Sequence, residues 1–268
     1  MRGIGIIAIN AFRESVRDKV LYNLVLFAIV LIGASYLIGQ LTAGQDVKII
    51  KDLGLAAISL FGLFIAIFIG IGLVSKEVER RSIFSLLSKP IHRYQLLLGK
   101  YFGLTLTLAV NVGMMALALY ALLFYLSWGA PPEADLVWDA PVRDPALLTA
   151  ILLILVELML VTAIALLFST FSTPILSAAF TFGLFLAGHL SADLRNFELV
   201  VDSPGAVRLA RGLYWVLPNL AQFDVKSQVV HGQAVPPGDV ALAIVYAALY
   251  ISTLLAVAAY VFSRRDFK

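Results

Sequence analysis

Glu157 is the residue of this sequence best placed to do chemistry inside a membrane. It is the one charged side chain in the apolar run 145–172, about 12 residues from the start of a run long enough to cross a bilayer. A carboxyl group at that depth is costly and usually faces protein or a water-filled cavity. Asn111 has a similar depth in another apolar run. Our hypothesis is that Glu157 faces the protein interior and is hydrogen-bonded to Asn111, either on a translocation path or as a structural contact.

The remaining reactive side chains do not form a catalytic or metal-binding set. Cysteine is absent, which excludes thiolate ligands and a cysteine nucleophile. His189 and Asp193 have the right types for a metal site, but His92 and His231 lie far away in the sequence. A membrane-embedded enzyme would need several polar residues converging at one depth, and the apolar runs hold one carboxylate. We therefore expect no metal and no catalytic residue.

Besides Glu157, the segment 76–99 also indicates a function. Its sequence is KEVERRSIFSLLSKPIHRYQLLLG. Acidic residues at its start suit the first turn of a helix. Ile83, Leu86 and Leu87 share one apolar face, and Pro90 ends the helix. This pattern predicts a short amphipathic helix parallel to the membrane that could press into a groove on a cytosolic partner. A loop that only holds positive charge on the inner side remains the alternative.

Composition indicates that these residues belong to an integral membrane protein. Hydrophobic residues make up 61% of the 268 residues and charged residues 14%, with a mean hydropathy of +0.94. A soluble domain carries roughly 25% charged residues. The net charge of +3 and pI of about 9.1 do not indicate nucleic-acid binding, because the basic residues lie at the ends of apolar runs.

Apolar runs of about 20 residues predict an all-α polytopic fold with six transmembrane helices in a single transmembrane domain. The predicted spans are 20–41, 53–75, 96–128, 145–172, 174–190 and 240–263. Pro174 divides what would otherwise be one long run into two crossings. The segments outside the spans are an interfacial helix at 1–19, a cytoplasmic loop at 76–95 and an outer segment at 191–239 with short helices at the outer surface.

Basic residues set the expected orientation. With the N-terminus inside and six spans, 13 basic residues fall on the cytoplasmic side and 7 on the outer side. Such an excess marks the cytoplasmic side. Both termini are therefore expected in the cytoplasm.

The segment 76–99 resembles the coupling helix of the permease subunits of type-2 ABC transporters, the exporter group. That helix commonly has acidic, basic and small residues, then Leu, a Leu-Leu pair, Pro and Arg, and ends with Gly-Lys. The matching positions are Glu77, Glu79, Arg80, Ser82, Ile83, Leu86, Leu87, Ser88, Pro90, Arg93, Gly99 and Lys100. Arg81 departs from the pattern, since the family usually has glycine there.

The resemblance extends along the chain and implies a function. Residues 1–19 resemble the elbow helix of these permeases, and 191–239 lies where they place short helices near the exit. The resemblance implies coupling to an ATPase through residues 77–93, two permease copies with two ATPase copies, and a bacterial or archaeal cytoplasmic membrane. The resemblance is also compatible with an accessory or periplasmic protein as a further partner, and membrane lipid is expected around the spans.

The ATP hydrolysis that would drive transport is expected on another polypeptide chain. The phosphate loop G-x-x-x-x-G-K-[ST] is absent, because Gly99-Lys100 is followed by Tyr101. ATP and Mg are therefore expected on the partner ATPase, with no cofactor on this chain. The alternative hypothesis is that the chain is an ion-coupled secondary transporter, a class that typically shows internal repeats and several intramembrane charges. A membrane-embedded enzyme is the more distant alternative.

Overall fold

The computed structural model describes residues 2–41, 46–79, 93–129, 144–191 and 217–264, together with positions 205, 207, 208 and 212. The regular structure of these residues is helical. Its elements are α1 (Arg2–Val16), α2 (Lys19–Gly39), α3 (Asp46–Glu79), α4 (Arg93–Gly129), α5 (Ala146–Ser169), α6 (Pro174–His189), a 3₁₀ turn (Ala221–Phe223), α7 (Lys226–Val230) and α8 (Pro237–Arg264). The predicted all-α polytopic membrane class is confirmed.

Five of these helices are long and apolar enough to cross a membrane, namely α2, α3, α4, α5 and α8. The predicted span 174–190 corresponds to α6, which is apolar but has only 16 residues. At 1.5 Å per residue it is about 24 Å long, less than the roughly 30 Å of a hydrocarbon core. The structure thus contains five full-length spans and one short apolar helix among its described residues.

Helices α3 and α4 are longer than the spans predicted at 53–75 and 96–128. Their 34 and 37 residues correspond to about 51 and 55 Å, so both extend past a hydrocarbon core. The first turns of α3 carry Lys48, Lys51 and Asp52, which is why hydropathy alone placed its start later.

Helix α5 lies at the centre of the bundle and packs against α3, α4, α6 and α8. Most of its side chains are buried, as expected for a helix that is apolar on all sides. Glycines of α3 allow the close approach: a Cβ at Gly70 would lie 2.8 Å from Cβ of Ala165, and one at Gly62 would overlap Leu158. The helix that carries Glu157 is therefore the best-enclosed helix of the described fold.

Helix α1 packs along the first half of α4 through two glycines. A Cβ on Gly99 would lie 2.7 Å from Cβ of Ile7, and one on Gly103 would lie 2.7 Å from Cβ of Ala11. The chain then turns into α2, whose first turn is capped by Asp18. Gly99, which belongs to the Gly-Lys pair of the coupling pattern, is thus a helix-packing residue.

The described part of the outer segment folds back into the bundle. The backbone N of Leu220 donates to the carbonyl oxygen of Gly188 at 3.1 Å, next to the end of α6. Leu220, Phe223 and Val229 are buried in the main apolar core. The apolar cluster at 209–217, for which short helices at the outer surface are expected, lies almost wholly outside the described residues. The described part forms the 3₁₀ turn and α7, and α7 packs against α3 and α5 within the core. We call residues 217–230 the re-entrant segment.

Candidate functional site

Glu157 lies in the interior of the bundle, 2% exposed. Its Oε1 is 3.3 Å from Nε2 of His189, the last residue of α6. Oε1 has no aligned hydrogen bond from any residue that the structure describes. The close approach of the His189 imidazole and the Glu157 carboxyl group therefore marks a contact between two ionisable groups, about 11 residues from the start of α5.

The predicted hydrogen bond between Glu157 and Asn111 is wrong. Asn111 is buried, but its Nδ2 donates to the carbonyl oxygen of Thr107 at 2.6 Å, on its own helix. Such bonding to the residue four positions earlier satisfies a side chain without a neighbouring helix. The Oδ1 atom of Asn111 is left buried without a partner among the described residues. Both candidate path residues are thus in the interior, but they do not bond to each other.

His189 is the partner of Glu157 that sequence reasoning missed. Its ring lies on Phe185, with centroids 4.5 Å apart, and its Nδ1 is 3.3 Å from the Phe185 carbonyl oxygen. The described residues contain no group of three or more His, Cys, Asp or Glu side chains that could hold a metal ion, and Asp193 lies outside them. The sequence contained one indication of this contact. A helix that begins at Pro174 and ends at His189 is too short to cross the membrane, so its end lies at the depth of Glu157.

The re-entrant segment covers this contact from the side where α5 begins. Because α6 stops at His189, the space beyond its end is filled by the 3₁₀ turn and α7, both of which pack against α5. Asp224 and Lys226 form an ion pair of 3.6 Å on this segment and lie close enough to act electrostatically on Glu157. A buried carboxylate thus sits beneath a segment that carries both signs of charge.

Three hydrogen bonds fasten the re-entrant segment to its neighbours. Oγ of Ser191 donates to Oδ1 of Asn219 at 2.9 Å, and the backbone N of Asn219 donates to Oη of Tyr246 on α8 at 2.9 Å. The third is the bond from Leu220 to Gly188. A Cβ on Gly188 would lie 2.8 Å from the carbonyl oxygen of Pro218, so this contact needs glycine.

A buried ion pair joins α3 to the start of α5. Nζ of Lys51 is 3.1 Å from Oδ2 of Asp144, and the two side chains are 0% and 9% exposed. Oδ1 of Asp144 also accepts from the backbone N of Ala146 at 2.9 Å and so caps the first turn of α5. The sequence placed both residues on the outer side but gave no indication that they pair.

The predicted coupling residues fall at the edge of the described structure. Glu77 and Glu79 lie in the last turns of α3, and Arg93 is the first residue of α4. The other positions lie outside the described residues, namely Arg80, Arg81, Ile83, Leu86, Leu87 and Pro90. The coupling role of the whole set stays a prediction.

Comparison with known families supplies an independent result. The model of the family described as "ABC-2 family transporter protein" matches residues 6–267, nearly the whole chain. A search of curated proteins finds no match. The matched range includes both long helices, the central α5 and the re-entrant segment.

Proposed function

Because the chain belongs to the ABC-2 transporter family and is thus the membrane component of an ABC transporter, we propose that it is an export permease that dimerises and is driven by a separate ATPase. The observation that carries the proposal is the family match over residues 6–267 in a chain without a phosphate loop. The partner would bring two ATPase copies with ATP and Mg. The membrane would be bacterial or archaeal, with both termini in the cytoplasm.

Coupling is proposed through the segment between α3 and α4. These two helices, of 34 and 37 residues, lead directly into it. Helix α3 contacts α5, α6 and α7, and α4 contacts α1, α5 and α8. A displacement applied to residues 77–93 by an ATPase would therefore tilt two long helices and shift their packing partners, which is how rigid elements transmit a change between distant sites.

Charge reversal in the coupling segment tests this step. Glu79→Lys with Arg80→Glu should lower capture of the ATPase by tagged permease, since complementary charges guide and hold such contacts. The matched control is a reversal at the outer side, Asp239→Lys, on exposed residue 239 at the start of α8. Equal ATPase capture by both variants, with equal amounts in the membrane, would contradict coupling through this segment.

We propose that Glu157 lies on the translocation path, with the re-entrant segment closing the outer end. Two observations support the proposal: Glu157 is buried beneath the re-entrant segment, and the rest of its helix is apolar. An ionisable residue deep in a membrane span usually faces a pathway or a polar partner. Opening would require the segment to leave Glu157 and His189.

Glu157→Gln separates the path role from a structural role. The change keeps the size of the side chain and replaces the carboxyl group by an amide that cannot ionise. Loss of an interaction worth about 1.4 kcal/mol in the transition state lowers the rate about tenfold, and we expect at least that loss in export or in substrate-stimulated ATP hydrolysis. Thr162→Ser on the same helix is the control. Full activity of Glu157→Gln with normal assembly would show that the carboxylate has no role in transport.

A further inference from the structure

A pocket opens where α1 turns into α2, beside the second half of α3. Its cavity volume is about 40 Å³, and the pocket is open at its mouth. Apolar side chains of α2 and α3 form its walls, among them Leu21, Leu24, Ile65 and Phe68. Glu14 and Asp18 line the pocket where the chain turns from α1 to α2. The pocket is therefore amphipathic, with an apolar depth and charged residues at one end.

A buried hydroxyl group without a hydrogen bond lies in the wall of this pocket. Ser15 is 5% exposed, lines the pocket, and its Oγ has no hydrogen-bond partner among the described residues. Other hydroxyls of the bundle, such as Thr107 and Thr162, donate to the carbonyl oxygen four residues earlier. A buried polar atom without a partner costs free energy. A ligand atom that reached Oγ of Ser15 after a local movement of the pocket wall would remove this cost.

The charged residues that line the pocket are acidic, and basic residues are their neighbours in the sequence. Glu14 and Asp18 supply two carboxylates, and Arg17 and Lys19, which are exposed and do not line the pocket, flank Asp18 along the chain. The Oδ1 atom of Asp18 also accepts from the backbone N of Val20 at 3.0 Å, so this carboxylate is fixed in place at the start of α2. Carboxylates beside cations match a zwitterionic group better than a simple anion.

The position of the pocket restricts the ligand further. Helix α2 is a candidate membrane span that begins at Lys19, so the Glu14–Lys19 turn lies at the level where headgroups meet the hydrocarbon region. A molecule with a zwitterionic head at this level and an apolar chain beside α2 and α3 is a phospholipid.

We propose that this pocket binds the headgroup and upper acyl region of phosphatidylethanolamine. Its primary ammonium donates hydrogen bonds to the carboxylates of Glu14 and Asp18, and its phosphate meets Arg17 or Lys19. An ester oxygen accepts from the hydroxyl of Ser15. Phosphatidylcholine has no N–H to donate, and phosphatidylglycerol has no cation, so neither makes the same set of bonds.

Native mass spectrometry of the full chain with dioleoyl lipids tests the proposal. Phosphatidylethanolamine should bind about tenfold more tightly than phosphatidylcholine or phosphatidylglycerol, because it alone forms the charge-assisted bonds. Glu14→Gln with Asp18→Asn should abolish the preference. Asparagine caps a helix as well as aspartate, so α2 keeps its first turn. The control Asp239→Asn, an exposed carboxylate at the start of α8, should leave the preference unchanged.

A second variant tests the pocket by filling it. Gly72 lines the pocket, and a Cβ there would have no atom within 4 Å. Gly72→Leu should therefore block lipid binding without disturbing the fold, because leucine favours the helix more than glycine. Gly33→Leu, also in open space but away from the pocket, is the control. Equal binding of the three lipids, a preference for phosphatidylglycerol, or unchanged binding in both sets of variants would overturn the proposal.

Discussion

Replacing Lys51 by methionine removes the cation that joins α3 to the start of α5. Its Nζ lies 3.1 Å from Oδ2 of Asp144, and the lysine side chain is fully buried. Breaking a buried pair leaves the other charge without compensation and typically costs about 3–5 kcal/mol. We expect Lys51→Met to lower the free energy of unfolding by an amount in that range.

The opposite change isolates the other charge. Asp144→Asn keeps an oxygen that can cap the backbone N of Ala146, so its cost reports mainly the unpaired lysine. The double variant Lys51→Met with Asp144→Asn buries no charge. It should cost less than the two single changes together, with an interaction energy of about 1–3 kcal/mol in the double-mutant cycle.

Unfolding in detergent micelles, followed by circular dichroism as denaturant is added, measures these free energies. Lys19→Met is the matched control, because Lys19 is exposed at the start of α2, and exposed ion pairs contribute about 0–1 kcal/mol. If Lys51→Met costs no more than this control, or if the two single changes add without interaction, the buried pair does not stabilise the fold.

Two further contacts give testable outcomes. A Cβ at Gly103 would lie 2.5 Å from the carbonyl oxygen of Ala8, so Gly103→Ala should destabilise the protein by about 1–3 kcal/mol in thermal unfolding. Gly113→Ala, in open space on the same helix, should be neutral or stabilising. An equal loss of stability in both variants would show that the close contact at Gly103 is not the cause. Tyr246→Phe removes the acceptor of a backbone N–H and should speed hydrogen exchange in residues 217–230, whereas the exposed Tyr125→Phe should not. Unchanged exchange in Tyr246→Phe would show that this bond does not hold the segment.

The sequence predicted the features that depend on local composition. Membrane spans require about 20 apolar residues, and Pro174 has to interrupt a helix, so both could be recognised from residue types alone. The burial of Glu157 followed from its position in an apolar run, because charge at that depth is seldom left facing lipid.

Contacts between distant residues could not be predicted in the same way. Lys51 and Asp144 are 93 residues apart, and each alone looks like an ordinary loop charge. The length of α6 decides which residue faces Glu157, and hydropathy does not define that length. The apolar residues of the re-entrant segment suit a surface helix as well as a core contact, and only the space left beyond His189 selects the core.

Co-purification of the tagged chain from its native membranes tests whether a separate ABC ATPase drives this protein. We expect an ABC ATPase with a phosphate loop to be recovered in about equal molar amount, and we expect the recovered complex to hydrolyse ATP. Mass spectrometry identifies the partner, and a phosphate-release assay measures the hydrolysis. Recovery of the intact chain without any ATPase, under detergent conditions that preserve other membrane complexes, would contradict its role as an ATP-driven permease subunit.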